Sequence, residues 1–298
     1  MRYAGLDARL AWVGTRDLPY RYGDVPTPMA DNHMVVALRL DGYWVFVDPT
    51  DDFLGFGLPS AFIQGKEALV GLGDTSALVP VPVPPAEANR SVENAELRLR
   101  GTELHGTGEA RFNGYPAADL RRELAQRREE GMARYLADRL ELGNNKFRVD
   151  DWRLAGRDDR DTTLVIRTRL ALPDHARIVA GDAYVNLHLD RRGGALRLDA
   201  ERRVDRVFEH RWVHEHEVLF RVPEGYRVAW LPADAEASGG GLSFTVRYTR
   251  EGDAVRMRRE LRLDTLRVRP DDAPRFNAVL DALEAAYREV AVFEPQAP

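Results

Sequence analysis

A histidine and an aspartate carry the chemistry this chain can offer. His33 opens and Asp48 closes the run Asn32-His33-Met34-Val35-Val36-Ala37-Leu38-Arg39-Leu40-Asp41-Gly42-Tyr43-Trp44-Val45-Phe46-Val47-Asp48, followed by Pro49 and Thr50. Two apolar, β-prone runs flank Asp41-Gly42, the strongest short-range signal for a hairpin. A two-residue loop pairs Leu40 with Tyr43 and sets Asp48 opposite Val35. Side chains alternate between faces along a strand, so Val35 and His33 share a face. His33 and Asp48 are therefore diagonal neighbours, within reach of a histidine–carboxylate hydrogen bond. Such a bond fixes the imidazole tautomer and stabilises the imidazolium, which is the base-and-orienter half of a nucleophilic triad. An ordinary sheet face can carry the same two residues, and register alone does not separate the two readings.

The third member of a triad is missing. The chain has no cysteine, which excludes a disulfide scaffold, a thiolate metal site and a thiol nucleophile within it. No serine precedes His33, and the first in the chain is Ser60. A weaker candidate is the set His210, His214 and His216, around Trp212. On a strand these three share one face, and imidazoles at such spacing can bind zinc or nickel. A strand face whose histidines pair with nearby carboxylates is the alternative. The acidic turns Asp150-Asp151 and Asp158-Asp159 lack the alternating ligands, central glycine and closing glutamate of a calcium loop. Gly239-Gly240-Gly241 lacks the lysine and helix of a phosphate loop.

The elements that must position these residues follow from composition and periodicity. A length of 298 residues predicts about two domains, with three small ones possible. With 43 basic and 48 acidic residues the net charge is −5, which gives no footprint for nucleic acid. No apolar run is long enough to span a bilayer, and the N-terminal residues lack the pattern of a signal peptide. Three blocks emerge: 1–76, 88–200 and 201–298, with a proline-rich extended linker or edge-like arm at 77–87. The middle block opens with strand alternation at Ala95, Leu97 and Leu99, and then carries one long helix near 116–142, with Leu120, Leu124, Met132, Tyr135, Leu136 and Leu140 on one face. Strands are expected at 147–154, 162–172, 183–190, 204–221, 226–231, 242–249 and 254–269. A final helix near 274–290 carries Phe276, Val279, Leu280, Leu283 and Tyr287 toward a sheet. The expected fold class is α+β, mostly antiparallel β, with the last block sandwich-like.

The His33–Asp48 segment resembles the end of the catalytic core of the transglutaminase-like superfamily, whose Cys, His and Asp form a papain-type triad. His33 and Asp48 fall on the family's His and Asp, with Gly42, Tyr43, Trp44 and Pro49 as supporting matches. The stretch Ala4-Gly5-Leu6-Asp7-Ala8-Arg9-Leu10-Ala11-Trp12-Val13-Gly14-Thr15-Arg16 resembles the strand that follows the family's nucleophile helix, and the match covers about residues 4–56. The later run Val222-Pro223-Glu224-Gly225-Tyr226-Arg227-Val228, then Leu231-Pro232 and Arg269-Pro270-Asp271-Asp272, is similar to the C-terminal part of bacterial multidomain relatives with flanking domains of unknown function. The departure is the absent cysteine.

The resemblance implies several things. Residues 1–76 are the C-terminal half of a transglutaminase-like core, and the chain is the C-terminal part of a longer protein whose upstream segment bears the cysteine. The intact parent performs acyl transfer or amide hydrolysis on a peptide or protein without a cofactor, and this chain alone is silent. Relatives are often exported or periplasmic, which leaves localisation open. Leu10, Trp12, Val35 and Phe46 would line the face that packs on the nucleophile helix, and leaving them uncovered favours self-association. The rival reading is a non-enzymatic β-rich binding or scaffold module with a vestigial His–Asp pair.

Overall fold

The computed structural model describes residues 5–140, 142–199 and 201–296. Ala4, where the resemblance begins, and Glu141, within the expected long helix, lie outside them. The first strands are β1 (Ala8–Val13), β2 (His33–Leu40), β3 (Tyr43–Val47), β4 (Glu67–Gly71) and β5 (Ser76–Pro80). They form a five-stranded sheet in the order β3-β2-β1-β4-β5, with every pairing antiparallel. The hairpin turns where the sequence places it. Asp41 and Gly42 both have positive φ, 47° and 86°, the backbone that a two-residue turn of type I′ requires. Leu40 then pairs with Tyr43 and Val36 with Val47. Of the proline-rich stretch, only the part up to Pro80 is strand, on the sheet edge, where a missing N–H costs no ladder bond.

The two faces of this sheet differ from the expected grouping. The pairs Ala11–Val35 and Ala37–Phe46 lie on one face, which is buried with Val13, Ile63, Ala68 and Val70. Leu10 pairs with Val36 and Trp12 with Met34, on the opposite face. There Leu10, Trp12 and Met34 are 51%, 37% and 49% exposed, while Val35 and Phe46 are buried. The four residues expected to share a face are thus split. Antiparallel register joins odd positions of β1 to odd positions of β2, and Val35 faces the core with Ala11 rather than solvent with Leu10.

The remaining elements are β6 (Arg90–Arg100), β7 (Glu103–Phe112), α1 (Gly114–Ala125), α2 (Met132–Leu140), β8 (Arg148–Ala155), β9 (Leu164–Leu172), β10 (Arg177–Val179), β11 (Asp182–Val185), β12 (Arg206–Val207), β13 (Trp212–Arg221), β14 (Tyr226–Trp230), β15 (Ala235–Gly239), β16 (Leu242–Glu251), β17 (Ala254–Leu263), β18 (Arg267–Val268), α3 (Ala273–Ala286) and β19 (Ala291–Pro295). An eight-stranded sheet runs β15-β16-β17-β13-β6-β7-β9-β8. Its one parallel pair, β6 with β13, joins the 88–200 and 201–298 blocks into a single sheet. Their apolar side chains also form one core, which runs from Ala95 to Phe293. Strands β10, β11, β19 and β14 make a four-stranded sheet, and β12 pairs with β18. Helix α3 packs Phe276, Val279, Leu280 and Leu283 inward and lies against β15 and β16.

The helical stretch expected near 116–142 is two helices. Between Leu124 and Met132 no side chain is apolar enough to anchor a turn, and Arg127, Arg128, Glu129 and Glu130 are exposed. Gly131 then takes φ +82°, which ends the break and restarts the chain as α2. The apolar stripe survives the break, with Leu120, Leu124, Met132 and Leu136 all buried.

Candidate active site

His33 is the first residue of β2 and Asp48 follows the last residue of β3, so the hairpin brings them together at its open end. His33 Nε2 donates to Asp48 Oδ2 at 2.7 Å. The Asp48 side chain is 1% exposed and that of His33 18%. Three further hydrogen bonds reach the carboxylate. The Thr50 N–H and hydroxyl both donate to Oδ1, at 3.0 and 2.7 Å, and the Ser60 hydroxyl donates to Oδ2 at 2.6 Å. Burial alone would push the Asp48 carboxyl up. The hydrogen bonds from Ser60, Thr50 and His33 outweigh it and hold the group below its ordinary value. Asp48 is therefore a buried, fixed anion at neutral pH.

The tautomer follows from this geometry. An ionised carboxylate accepts only, so Nε2 carries the proton and Nδ1 keeps its lone pair. The imidazole is also held from the side. Phe62 stands edge-on to it, with ring centroids 5.0 Å apart and planes at 74°. Ser60 and Phe62 both line a cleft of about 650 Å³, whose other walls include Arg16, Leu54, Tyr115 and Phe208. His33 and Asp48 do not themselves line the cleft; they adjoin it through Phe62 and Ser60. The pair is legible in the sequence, and most of its supports are not. Thr50 had a signal, since an aspartate two residues before a threonine commonly accepts from that residue's N–H. Ser60 and Phe62 sit in a short 3-10 turn with no periodicity to announce them.

The three histidines of the second candidate do not act together. His214 and His216 lie on the buried face of β13, while His210 precedes the strand and packs against Tyr115 with the rings tilted by 34°, centroids 4.9 Å apart. His214 gathers with Glu93 and Asp190 instead. His214 Nε2 is 3.3 Å from Glu93 Oε1, and Arg259 Nη2 donates to Asp190 Oδ2 at 2.6 Å and to His214 Nδ1 at 3.0 Å. Arg192 pairs with both Glu93 (2.9 Å) and Asp190 (3.1 Å). Arg192 and Arg259 balance the charge of the two carboxylates, so the cluster is a buried ion network, within which Glu93 Oε2 and His214 Nε2 have no hydrogen-bond partner among the described residues. Adding a divalent ion would leave an excess of buried positive charge. Glu93 comes from β6 and Asp190 from the loop after β11, and neither is near His214 in sequence.

This network and its neighbours make the fold acid-sensitive. Burial drives His188 and His216 down to about 3 and His210 down to about 4, from an ordinary 6.5. Arg259 pulls the Asp190 carboxyl down against the cost of its burial. The unfolded chain takes up these protons below pH 6.5 and the folded chain does not. The stability contributed by the neutral histidines is therefore complete above about pH 6.5 and is lost as the pH falls toward 3–4. The expected loss is on the order of 1 kcal/mol per histidine per pH unit. Urea unfolding between pH 7.5 and 5 should show it, and a His216→Leu variant should have a shallower pH slope. A flat profile over that range would contradict the assignment.

The chain is thus a β-rich α+β protein with a His–Asp pair, its carboxylate buried, at the open end of a hairpin. Residues 190–293 match the model of a family described as a domain of unknown function with a solved structure, DUF3858. The whole architecture is similar to a crystal structure described as a "putative protease" from Parabacteroides distasonis, at 12% sequence identity and a TM-score of 0.51. The likeness covers 98% of this chain and 41% of that protein, so the chain spans less than half of its length. At that identity the likeness is one of fold. No curated protein matches the sequence. Among the described residues no helix is long and apolar enough to cross a membrane.

Proposed function

We propose that this chain is the C-terminal part of a transglutaminase-like protein and supplies the base and its orienter for acyl transfer or amide hydrolysis on a peptide or protein. The observation that carries the reading is the His33 Nε2–Asp48 hydrogen bond at 2.7 Å, which leaves Nδ1 for a nucleophile. The similarity of fold to a protein described as a protease supports it. In this reading residues 1–76 are the C-terminal half of the catalytic core, 77–87 a linker, and 88–298 two β-rich units that share a sheet. An upstream segment brings the cysteine.

The chemistry then runs as follows. The thiol proton passes to Nδ1 of His33, and Asp48 stabilises the imidazolium that forms. The thiolate attacks the substrate carbonyl carbon, and the C–N bond breaks as His33 returns the proton to the leaving amine. The thioester that results is opened by water or by a second amine, with His33 again taking the proton. With no cysteine of its own, the isolated chain is silent. Its exposed apolar stripe at Leu10, Trp12 and Met34 favours association with the upstream segment or with a second copy.

The test is an assay of amine incorporation and amide hydrolysis in three samples: this chain, the chain extended upstream through its cysteine, and the extended chain with His33→Ala. The expected pattern is silence, activity and silence. Activity in the third sample would remove His33 from the mechanism. Silence in all three would leave the scaffold reading.

A further inference from the structure

The Asp48 carboxylate is gripped from two directions. Thr50 holds Oδ1 from within the turn that Asp48 itself begins. Oδ2 is shared by two donors from elsewhere, His33 Nε2 at 2.7 Å and Ser60 Oγ at 2.6 Å. Ser60 is 2% exposed, so its hydroxyl is a buried donor aimed at a buried anion. Two residues on, Phe62 closes against the His33 ring. One short turn therefore touches both members of the pair, the carboxylate through Ser60 and the imidazole through Phe62.

That turn is anchored outside the sheet that bears the pair. The Tyr115 hydroxyl, at the start of α1, donates to the Pro59 carbonyl. Tyr115 is itself 3% exposed, and its N–H donates to Asn89 Oδ1 at 3.1 Å. Gln64 Nε2 donates to the Glu209 carbonyl at 3.1 Å, and Arg16 Nη1 donates to the same oxygen at 2.9 Å. The Arg16 N–H donates to the Phe62 carbonyl at 2.7 Å. Gly114 makes the approach possible. It has φ +60°, and a Cβ there would stand 2.2 Å from Asn89 Oδ1.

We propose that Ser60 is a positioning residue for the His33–Asp48 pair, and that Tyr115 holds the turn carrying Ser60, so that the second structural unit sets the geometry of the pair. Thr50 fixes Oδ1, and Ser60 gives Oδ2 a second donor beside the imidazole, which fixes the plane of the carboxylate and favours the imidazole proton on Nε2. Without Ser60 the Oδ2 edge is held by the imidazole alone. The carboxylate can then tilt about the Oδ1 that Thr50 holds, and the preference for the Nε2–H tautomer weakens. The catalytic meaning of this inference rests on the function proposed above, but its test needs no nucleophile.

The experiment uses the full chain, labelled with ¹⁵N-histidine and ¹³C-aspartate. In the wild type, two-bond ¹⁵N–¹H spectra should show His33 as the Nε2–H tautomer. Ser60→Ala should lower the ratio of that tautomer to the other roughly tenfold, as expected for a lost hydrogen bond to a charged group. The Asp48 carboxyl should also titrate at a higher pH than in the wild type. Ser60→Thr, which keeps the hydroxyl, should restore both signals. Tyr115→Phe removes only one hydroxyl and should move the same signals in the same direction by a smaller amount. It keeps the test intact if Ser60→Ala lowers the melting temperature. Unchanged His33 and Asp48 signals in folded Ser60→Ala would overturn the role of Ser60, and unchanged signals in Tyr115→Phe would overturn the anchoring. A wild-type His33 protonated on Nδ1 would instead defeat the proposed function, which keeps the two failures apart.

Discussion

Replacing Arg259 by methionine is expected to lower the free energy of unfolding by about 3–5 kcal/mol, the typical cost of breaking a buried charge pair by removing one partner. The Arg259 side chain is fully buried, and it donates to Asp190 Oδ2, the Asp190 carbonyl, the Tyr287 hydroxyl and His214 Nδ1. Methionine matches the volume but leaves Asp190 and His214 without those donors. Arg192 would still neutralise part of the charge on Glu93 and Asp190. Urea unfolding at pH 7.5 measures the effect, with an unchanged dependence on denaturant showing that the compactness of the two states is preserved. Adding Asp190→Leu to Arg259→Met should recover part of the loss, because it removes the orphaned anion. A loss below about 1 kcal/mol for the single variant would mean that water or a cation reaches the cluster.

The second large effect is catalytic and is graded by what each group does. On the proposed function, in a parent protein that carries an upstream cysteine, His33→Ala should lower kcat/KM on the order of 10³-fold, the scale of a lost general base. Asp48→Ala should cost less than His33→Ala, since it removes the group that orients the base but leaves the base itself. Asp48→Asn separates orientation from charge. Its amide oxygen can still accept from Nε2–H, so it should retain more activity than Asp48→Ala. Steady-state rates on a peptide amide measure all three. Equal losses in Asp48→Ala and Asp48→Asn would assign the role of Asp48 to its charge alone.

The hairpin was legible because its determinants are local. Asp41-Gly42 prescribes a two-residue turn, the turn prescribes the register, and the register places His33 beside Asp48. The α+β class and the C-terminal helix were legible for the same reason, since periodicity along α3 is carried by neighbouring residues. What escaped notice is made by contacts between distant residues. Ser60 reaches Asp48 from a loop whose sequence has no pattern. The environment of His214 depends on the parallel pairing of β6 with β13, which places Glu93 alongside His216 and gives no sign in either strand. The split of Leu10 and Trp12 from Val35 and Phe46 is a matter of parity between two strands, which neither strand's alternation reveals alone. The break between α1 and α2 was visible in the polar run Arg127-Arg128-Glu129-Glu130 and Gly131, but the apolar stripe resumes in phase beyond it and conceals it.

The central claim is that His33, oriented by Asp48, is the base for a cysteine supplied from upstream. The most direct measurement is the titration of that cysteine in the intact parent, followed by thiolate absorbance and by the pH dependence of its alkylation. An imidazolium partner lowers a thiol well below the free value of about 8.5. The account predicts a thiolate that persists to acidic pH in the parent and a return toward about 8.5 in the His33→Ala variant. A thiol whose titration is the same with and without His33 would contradict it.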